Sequence, residues 1–577
     1  MLTRLVVLLL LTLANTGAQT FFPLKDVHPG LRGVGRTVFQ GERIEEFQVE
    51  ILGVLEDLGP HQVIVLARLS GGPLAETGVL QGMSGSPVYI DGKLLGAVAL
   101  GFPFSKEPIA GIQPIQNMIA DATFGGGSKN AAVLKNVREQ GDFSDLPIPV
   151  SFSGFSAATA AAYSGRFKDF GFRVQAGLAQ ASASKAPASP ASDIVPGSMI
   201  SVGLITGDMN MTADGTVTYV DGKRIYAFGH RFLDAGSVEL PFAHSEVIVS
   251  LPTLNSSFKL SAPHGWVGTI LSDRSTAVAG EIGRAAHTVP LTINVNSSTT
   301  GKHSYRMQVA NDRLLTPFLS QTALFSTIDA TERSIGSGTL RIEGRAEFED
   351  GLPPLLIRDV FVSDNALAQQ AAANAIVPLS YVVGGGYNGI RLKSLTFEVS
   401  QLDTKRQLKL TQAWASAHEA RPGDTLTITT LLEGENGYET TQSVKYKIPI
   451  GAPDGVLNFT IGDATVQNFA DFAGMTPSSL ESAERLISAV NDYRSSEGLY
   501  VRVWRPQPAF TVKGPGPTSE MPDPPPSAML ILADPSSSPY SSATNAATRG
   551  SEVGQLTIPL RGYAVSGAKT LQVEIKY

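Results

Sequence analysis

The feature that most limits how this chain can fold is a hairpin pattern written twice. "QGMSGSPVYIDGKLLGAVAL" (81–100) and "VTYVDGKRIYAFGHRF" (217–232) each place an Asp-Gly pair between two apolar runs. Such a pair is a strong two-residue hairpin signal, because the turn needs residues that tolerate positive φ. Tyr89/Tyr219, Asp91/Asp221, Gly92/Gly222, Lys93/Lys223, Ala97/Ala227 and Phe102/Phe232 share one offset. Two related β modules are expected, although Asp-Gly turns also recur in unrelated hairpins. The 58 glycines and 36 prolines break the rest of the chain into many short apolar stretches, the pattern of a mainly β protein.

With 577 residues, the chain has room for three to five domains with ample cores. "EEFQVEILGVLE" and "HQVIVLARL" read as strands, and "GIQPIQNMIADA" as a short helix with Pro114 near its start. Residues 124–195 are irregular and include the linker-like "SASKAPASPASD". Strands resume at Val195 and run through the glycine-broken "GWVGTILSDRSTAVAGEIG". Residues 291–404 mix strands with helices: "TPFLSQTALFSTI", and "SDNALAQQAAANAI" with Ser363 or Asp364 as its cap. Residues 405–463 have the strand spacing of a small immunoglobulin-like β-sandwich without the disulfide. Residues 464–577 form a C-terminal α/β region with a helix expected over 477–493, Pro/Ser-rich loops and a final strand, "LQVEIK".

The 45 basic and 52 acidic side chains give a net charge of −7 with no basic stripe, which argues against a nucleic-acid partner. The N-terminus joins Arg4, an apolar run from Leu5 to Leu13 and the small residues Thr16 and Ala18. That is the pattern of a cleaved signal peptide over residues 1–18. The run is short for a bilayer span of about 20 residues, so no transmembrane segment is expected in the mature chain. Zero cysteines exclude disulfides and cysteine lipidation. The expected location is outside the cytoplasm: periplasm, cell envelope or extracellular.

Chemistry is concentrated near the hairpins. Ser84 lies in Gly82-Met83-Ser84-Gly85-Ser86-Pro87, where flanking glycines let the backbone turn sharply, leave the hydroxyl exposed and bring the Gly82 and Ser84 amides toward a developing oxyanion. The same residue types also suit an ordinary loop. Glycine does not occupy the last position of Gly-x-Ser-x-Gly, so this is not an α/β-hydrolase elbow. A serine hydroxyl needs a base. Of eight histidines, His230 in "YAFGHRF" is the best placed, coming off a strand beside Gly229. No metal-ligand spacing, phosphate loop or dinucleotide fingerprint is present, so no metal or cofactor is expected.

Taken together, "HPGLRGVGRTVFQGERIEEFQVEILGVL", "TGVLQGMSGSPVYIDGKLLGAVALGF", "GIQPIQNM" and "GTVTYVDGKRIYAFGHRF" resemble the SpoIVB-type serine peptidases, of chymotrypsin-like ancestry. The resemblance covers residues 21–290. It implies a trypsin-like double β-barrel, with Ser84 as nucleophile, His230 as general base, and Gly82 and Ser84 as oxyanion donors. Serine precedes histidine here, a permuted order. The family's acid is expected shortly upstream of the serine, where this chain offers only Glu76 and no aspartate; Asp273 in "LSDRS" is the candidate orienting acid. The implied activity is endopeptidase cleavage of a peptide or protein substrate. The alternative is a catalytically silent envelope protein that binds a protein partner or ligand.

Overall fold

The computed structural model describes residues 21–56, 63–102, 105–122, 144–176, 194–254, 256–297, 301–331, 335–387, 390–402, 404–474, 482–506, 510–512, 519–521, 541–543 and 551–577. The expected signal peptide, the "SASKAPASPASD" linker and most of the Pro/Ser-rich tail lie outside these residues. The chain divides into two units. The first comprises residues up to Ser151, Gly165–Gly203 and Thr212–Ala286; the second holds the remainder, chiefly His287–Tyr577.

In the first unit, β1 (Arg32–Val38), β2 (Ile44–Leu55), β3 (Ile64–Ser70), β4 (Pro87–Ile90), β5 (Lys93–Gly101) and β6 (Ile109–Pro114) close into a six-stranded antiparallel barrel. Its hydrogen-bond circuit runs β1-β2-β3-β6-β5-β4 and back to β1, where Val34 pairs with Tyr89 and Gly35 with Val88. Alternation along β2 sends Phe47, Val49 and Ile51 inward. Gly35 is required opposite Phe47, because a Cβ there would lie 2.0 Å from the ring. The short helix α1 (Leu74–Thr77) lies between β3 and β4, and α2 (Ile115–Asp121) follows β6.

Three strands, β7 (Ser144–Asp145), β8 (Ile148–Ser153) and β9 (Phe172–Ala176), and the helix α3 (Ala157–Asp169) lead to a second circuit. It comprises β10 (Met199–Gly207), β11 (Asn210–Asp221), β12 (Arg224–Ala227), β13 (Gly236–Leu251), β14 (Phe258–Arg274) and β15 (Ala277–Ile282). The order is β10-β13-β14-β15-β12-β11, closed by β10–β11 pairing. The double barrel expected from the resemblance is therefore present. The two Asp-Gly hairpins are β4–β5 and β11–β12, one in each barrel. Their far ends match, Pro87 pairing with Ala97 and Val217 with Ala227, and each carries one bulge. Tyr89, Leu94 and Ala97 of the first share a core with Tyr226 and partly buried Tyr219 of the second.

The second unit contains a mixed sheet of β16 (Thr288–Ser297), β17 (Gly301–Ala310), β18 (Ile335–Phe348), β19 (Leu355–Asn365) and β20 (Leu392–Leu402), in the order β19-β18-β20-β16-β17. Helices α4 (Leu315–Thr331) and α5 (Leu367–Gly384) pack on it and on each other. Neither Ser363 nor Asp364 caps α5: β19 continues through both, and Ala366 is the cap residue. A two-sheet sandwich follows. One sheet is β21 (Gln407–Ala415), β23 (Thr425–Gly434), β24 (Glu439–Lys447) and β31 (Ala564–Ser566). The other is β22 (Glu419–Ala420), β25 (Gly455–Gly462), β26 (Gly498–Arg505), β30 (Ser551–Pro559) and β32 (Ala568–Ile575). The expected end of the sandwich at residue 463 is thus too early, since β32 pairs with β25 along its length and strands from both sides of that boundary share one core. Helices α6 (Ala464–Gly474) and α7 (Ala483–Asn491) are inserted between β25 and β26, and the short strands β27 (Phe510–Val512), β28 (Ser519–Met521) and β29 (Ser541–Ala543) pair with one another between β26 and β30 in sequence. Among the described residues no helix is long and apolar enough to cross a membrane.

Candidate active site

The loop joining α1 to β4 carries Ser84, and an account of its backbone groups defines the site. Buried N–H and C=O groups are almost always paired, and here nearly all are. Leu80 O accepts from Met83 N (3.0 Å), Gln81 O from Lys259 N (3.1 Å) and Met83 O from Ser86 N (2.9 Å). Gly82 O accepts from Thr216 Oγ1 (2.9 Å), Ser84 O from Thr216 N (2.8 Å) and Gly85 O from Thr218 Oγ1 (2.7 Å). Gly85 N donates to Val98 O (2.8 Å). Between Gln81 and Ser86, only the Gly82 and Ser84 N–H groups have no acceptor among the described residues. These are the two amides expected to receive an oxyanion. Gly82 and Gly85 have φ of +90° and +93°, a region that favours glycine. At Gly85 a Cβ would also lie 1.9 Å from Thr216 O. Thr216 and Thr218, the clamp on this loop, escaped the sequence reading because they read as ordinary strand positions.

His230 is aimed by a strained turn at the end of β12. Gly229 N bonds back to Ala227 O at 2.9 Å, closing a three-residue turn around Phe228, whose φ is +67°. Such a turn is rare, and positive φ in a bulky residue is costly. The ring of Phe228 is accommodated over Gly215, where a Cβ would lie 2.6 Å from it. Gly229, also at positive φ, packs against Ala97 and Ala99 of the first barrel. This path places His230 Nε2 2.9 Å from Ser84 Oγ. Nδ1 lies 2.7 Å from the Arg231 carbonyl, which can only accept. The proton therefore belongs on Nδ1, leaving Nε2 to accept from the serine hydroxyl.

Asp273 does not take the position expected of an orienting acid. Its Oδ1 accepts from Phe232 N (2.8 Å) and its Oδ2 from Leu233 N (2.7 Å) and Ala235 N (3.1 Å). None of its hydrogen bonds goes to the imidazole. The chain reversing after His230 has amides without strand partners, and this buried carboxylate satisfies them. Burial pushes its carboxyl up to about 6, against the pull of the three amides. Glu76, the only carboxylate just upstream of the serine, is exposed on α1. The expected exposed hydroxyl is also corrected: Ser84 is 1% and His230 0% exposed, because β11 and Lys259 close over the loop. Among the described residues no group of three or more acidic or imidazole side chains is arranged to hold a metal.

Residues 23–119 match the family model of the SpoIVB peptidase S55. The match contains the whole first barrel and Ser84, and ends before His230. No curated protein and no solved structure matches the chain.

Proposed function

We propose that this chain, whose residues 23–119 match the SpoIVB peptidase S55 family, is an exported serine endopeptidase acting through Ser84 and His230. The observation that carries the reading is the 2.9 Å approach of Ser84 Oγ to His230 Nε2, beside the two backbone donors left without an acceptor. His230 removes the hydroxyl proton as Ser84 attacks the scissile carbonyl, and the Gly82 and Ser84 amides receive the negative oxygen. The imidazolium then protonates the leaving amine. Water, deprotonated by the same imidazole, cleaves the acyl-enzyme and restores the serine. The Arg231 carbonyl holds the imidazole in the required tautomer, and Asp273 secures the segment that bears this carbonyl.

Export is part of the proposal and rests on the Arg4, Leu5–Leu13 and Thr16/Ala18 pattern. Mature protein starting at Gln19 is the expected result of N-terminal sequencing; an N-terminus at Met1 removes it. For catalysis, Ser84→Ala should reduce peptide hydrolysis by at least about a thousandfold. Equal hydrolysis by the two proteins rejects Ser84 as nucleophile. The burial of Ser84 and His230 favours a second reading, a peptidase-like envelope module that binds a protein or ligand without turnover. Stoichiometric fluorophosphonate labelling of Ser84 that is lost in His230→Ala counts against that reading.

A further inference from the structure

Lys259 lies on β14 and is fully buried, an unusual place for an ammonium group. Its backbone N–H donates to Gln81 O at 3.1 Å. Its Nζ reaches Gly82 O at 3.4 Å and Thr37 Oγ1 of β1 at 2.7 Å. Thr37 Oγ1 also accepts from Ser86 Oγ at 3.0 Å, so this network is tied to both ends of the Ser84 loop. One residue therefore grips the carbonyls immediately before and after the Gly82 amide. In a trans peptide the C=O and N–H point opposite ways. Holding Gln81 O against Lys259 N turns the Gly82 N–H away from β14, and fixing Gly82 O stops the next peptide from flipping.

We propose that Lys259 is the positioning residue of the oxyanion site: it fixes the Gly82 amide through both neighbouring carbonyls, and its ammonium adds positive potential where the oxyanion develops. The inference rests on the peptidase reading and goes beyond it, since nothing in the Ser84–His230 pair requires a lysine. The charged group that acts on Lys259 is Asp214 of β11, itself buried and bonded to Ser201 Oγ at 2.5 Å. Thr37, Gly82 and Met199, the neighbours from β1, the Ser84 loop and β10, are uncharged. Burial pulls Lys259 down to about 7, and Asp214 opposes that shift. The added potential is consequently present on the acid side of this range and is lost as pH rises through it.

The test follows phosphonylation of Ser84 in the full chain by a fluorophosphonate at low probe concentration, as a function of pH. Serine oxygen bonds phosphorus, fluoride leaves and His230 takes the proton. Wild type should label with a rate that declines on the alkaline side. Lys259→Met should label about tenfold more slowly near neutral pH and lose that decline. Asp214→Asn, which removes the charge that favours the ammonium, should move the decline to lower pH. A purely structural lysine would change the amount of folded protein and leave the pH dependence of the rate intact. Labelling of Lys259→Met at the wild-type rate with the wild-type pH profile overturns the proposal. If that variant does not fold, an unmoved alkaline decline in Asp214→Asn overturns it equally. Absence of labelling in wild type removes the peptidase reading, and this inference with it.

Discussion

Ser84 and His230 meet because a few backbone positions accept conformations that most side chains refuse. Gly85 is the most demanding. Its φ of +93° and the 1.9 Å approach that a Cβ would make to Thr216 O leave no room for substitution. Gly85→Ala should therefore lower stability by about 3 kcal/mol or more and slow Ser84 labelling together with it; an unchanged urea midpoint would show that the loop is held less tightly against β11. The buried acids make a separate prediction. Desolvation raises the Asp273 carboxyl from 3.8 to about 6 and does the same for Asp214. A raised folded-state value means that the associated stability is complete below the ordinary carboxyl range and is lost as pH rises through about 6. Urea unfolding should record a decline across that window, on the order of 3 kcal/mol per site, and a smaller decline in Asp273→Asn and Asp214→Asn. The same decline in both variants would assign it to other groups. Lys259 was illegible in the sequence for a physical reason: between Phe258 and Leu260 a lysine reads as the solvent face of an alternating strand. Only the closure of β14 over the Ser84 loop turns that face inward.

At the scale of elements, the hairpins were the most readable part of the chain because their turns are specified locally. Asp91 and Gly92 both adopt positive φ, +49° and +73°, as the Asp-Gly pair implied. The shared offset pointed to two related modules and the family resemblance to a double barrel, whereas the packing of Tyr89 with Tyr219 and Tyr226 is long-range information that the sequence did not carry. The acid was misassigned for a related reason. A carboxylate near His230 can serve the imidazole or the amides of the following turn, and residue spacing does not distinguish the two. Long-range pairing also explains the sandwich boundary. The strand-like runs up to Asp463 read as a complete small sandwich, yet β32 lies between β22 and β25 and contributes Val573 and Ile575 to the common core. Removing residues 568–577 should expose this core, seen as loss of the sandwich's protected amides in hydrogen exchange. Retention of protection along β25 would show that the sandwich closes without its last strand.

At the scale of the whole molecule, the proposed peptidase reading must account for a Ser84–His230 pair that is assembled but covered. With Ser84 at 1% and His230 at 0% exposure, a peptide carbonyl has no access to the hydroxyl in this conformation. If the proposed function holds, the serine–imidazole hydrogen bond and the two unpaired amides are already in place, so access and not assembly should limit the rate. Opening motions that uncover a site are drawn from a protein's less stable segments and often set turnover. If opening precedes reaction, the rate of Ser84 labelling must level off as probe concentration rises, because no probe can react faster than the site opens. The plateau should be the same for a small and a bulky fluorophosphonate, while the concentration needed to reach it differs. A partial destabiliser such as dilute urea should raise labelling at low probe concentration by increasing the open population. Labelling that stays proportional to concentration, with rates set by probe size and unaffected by dilute urea, would mean that substrates reach Ser84 without a prior opening step.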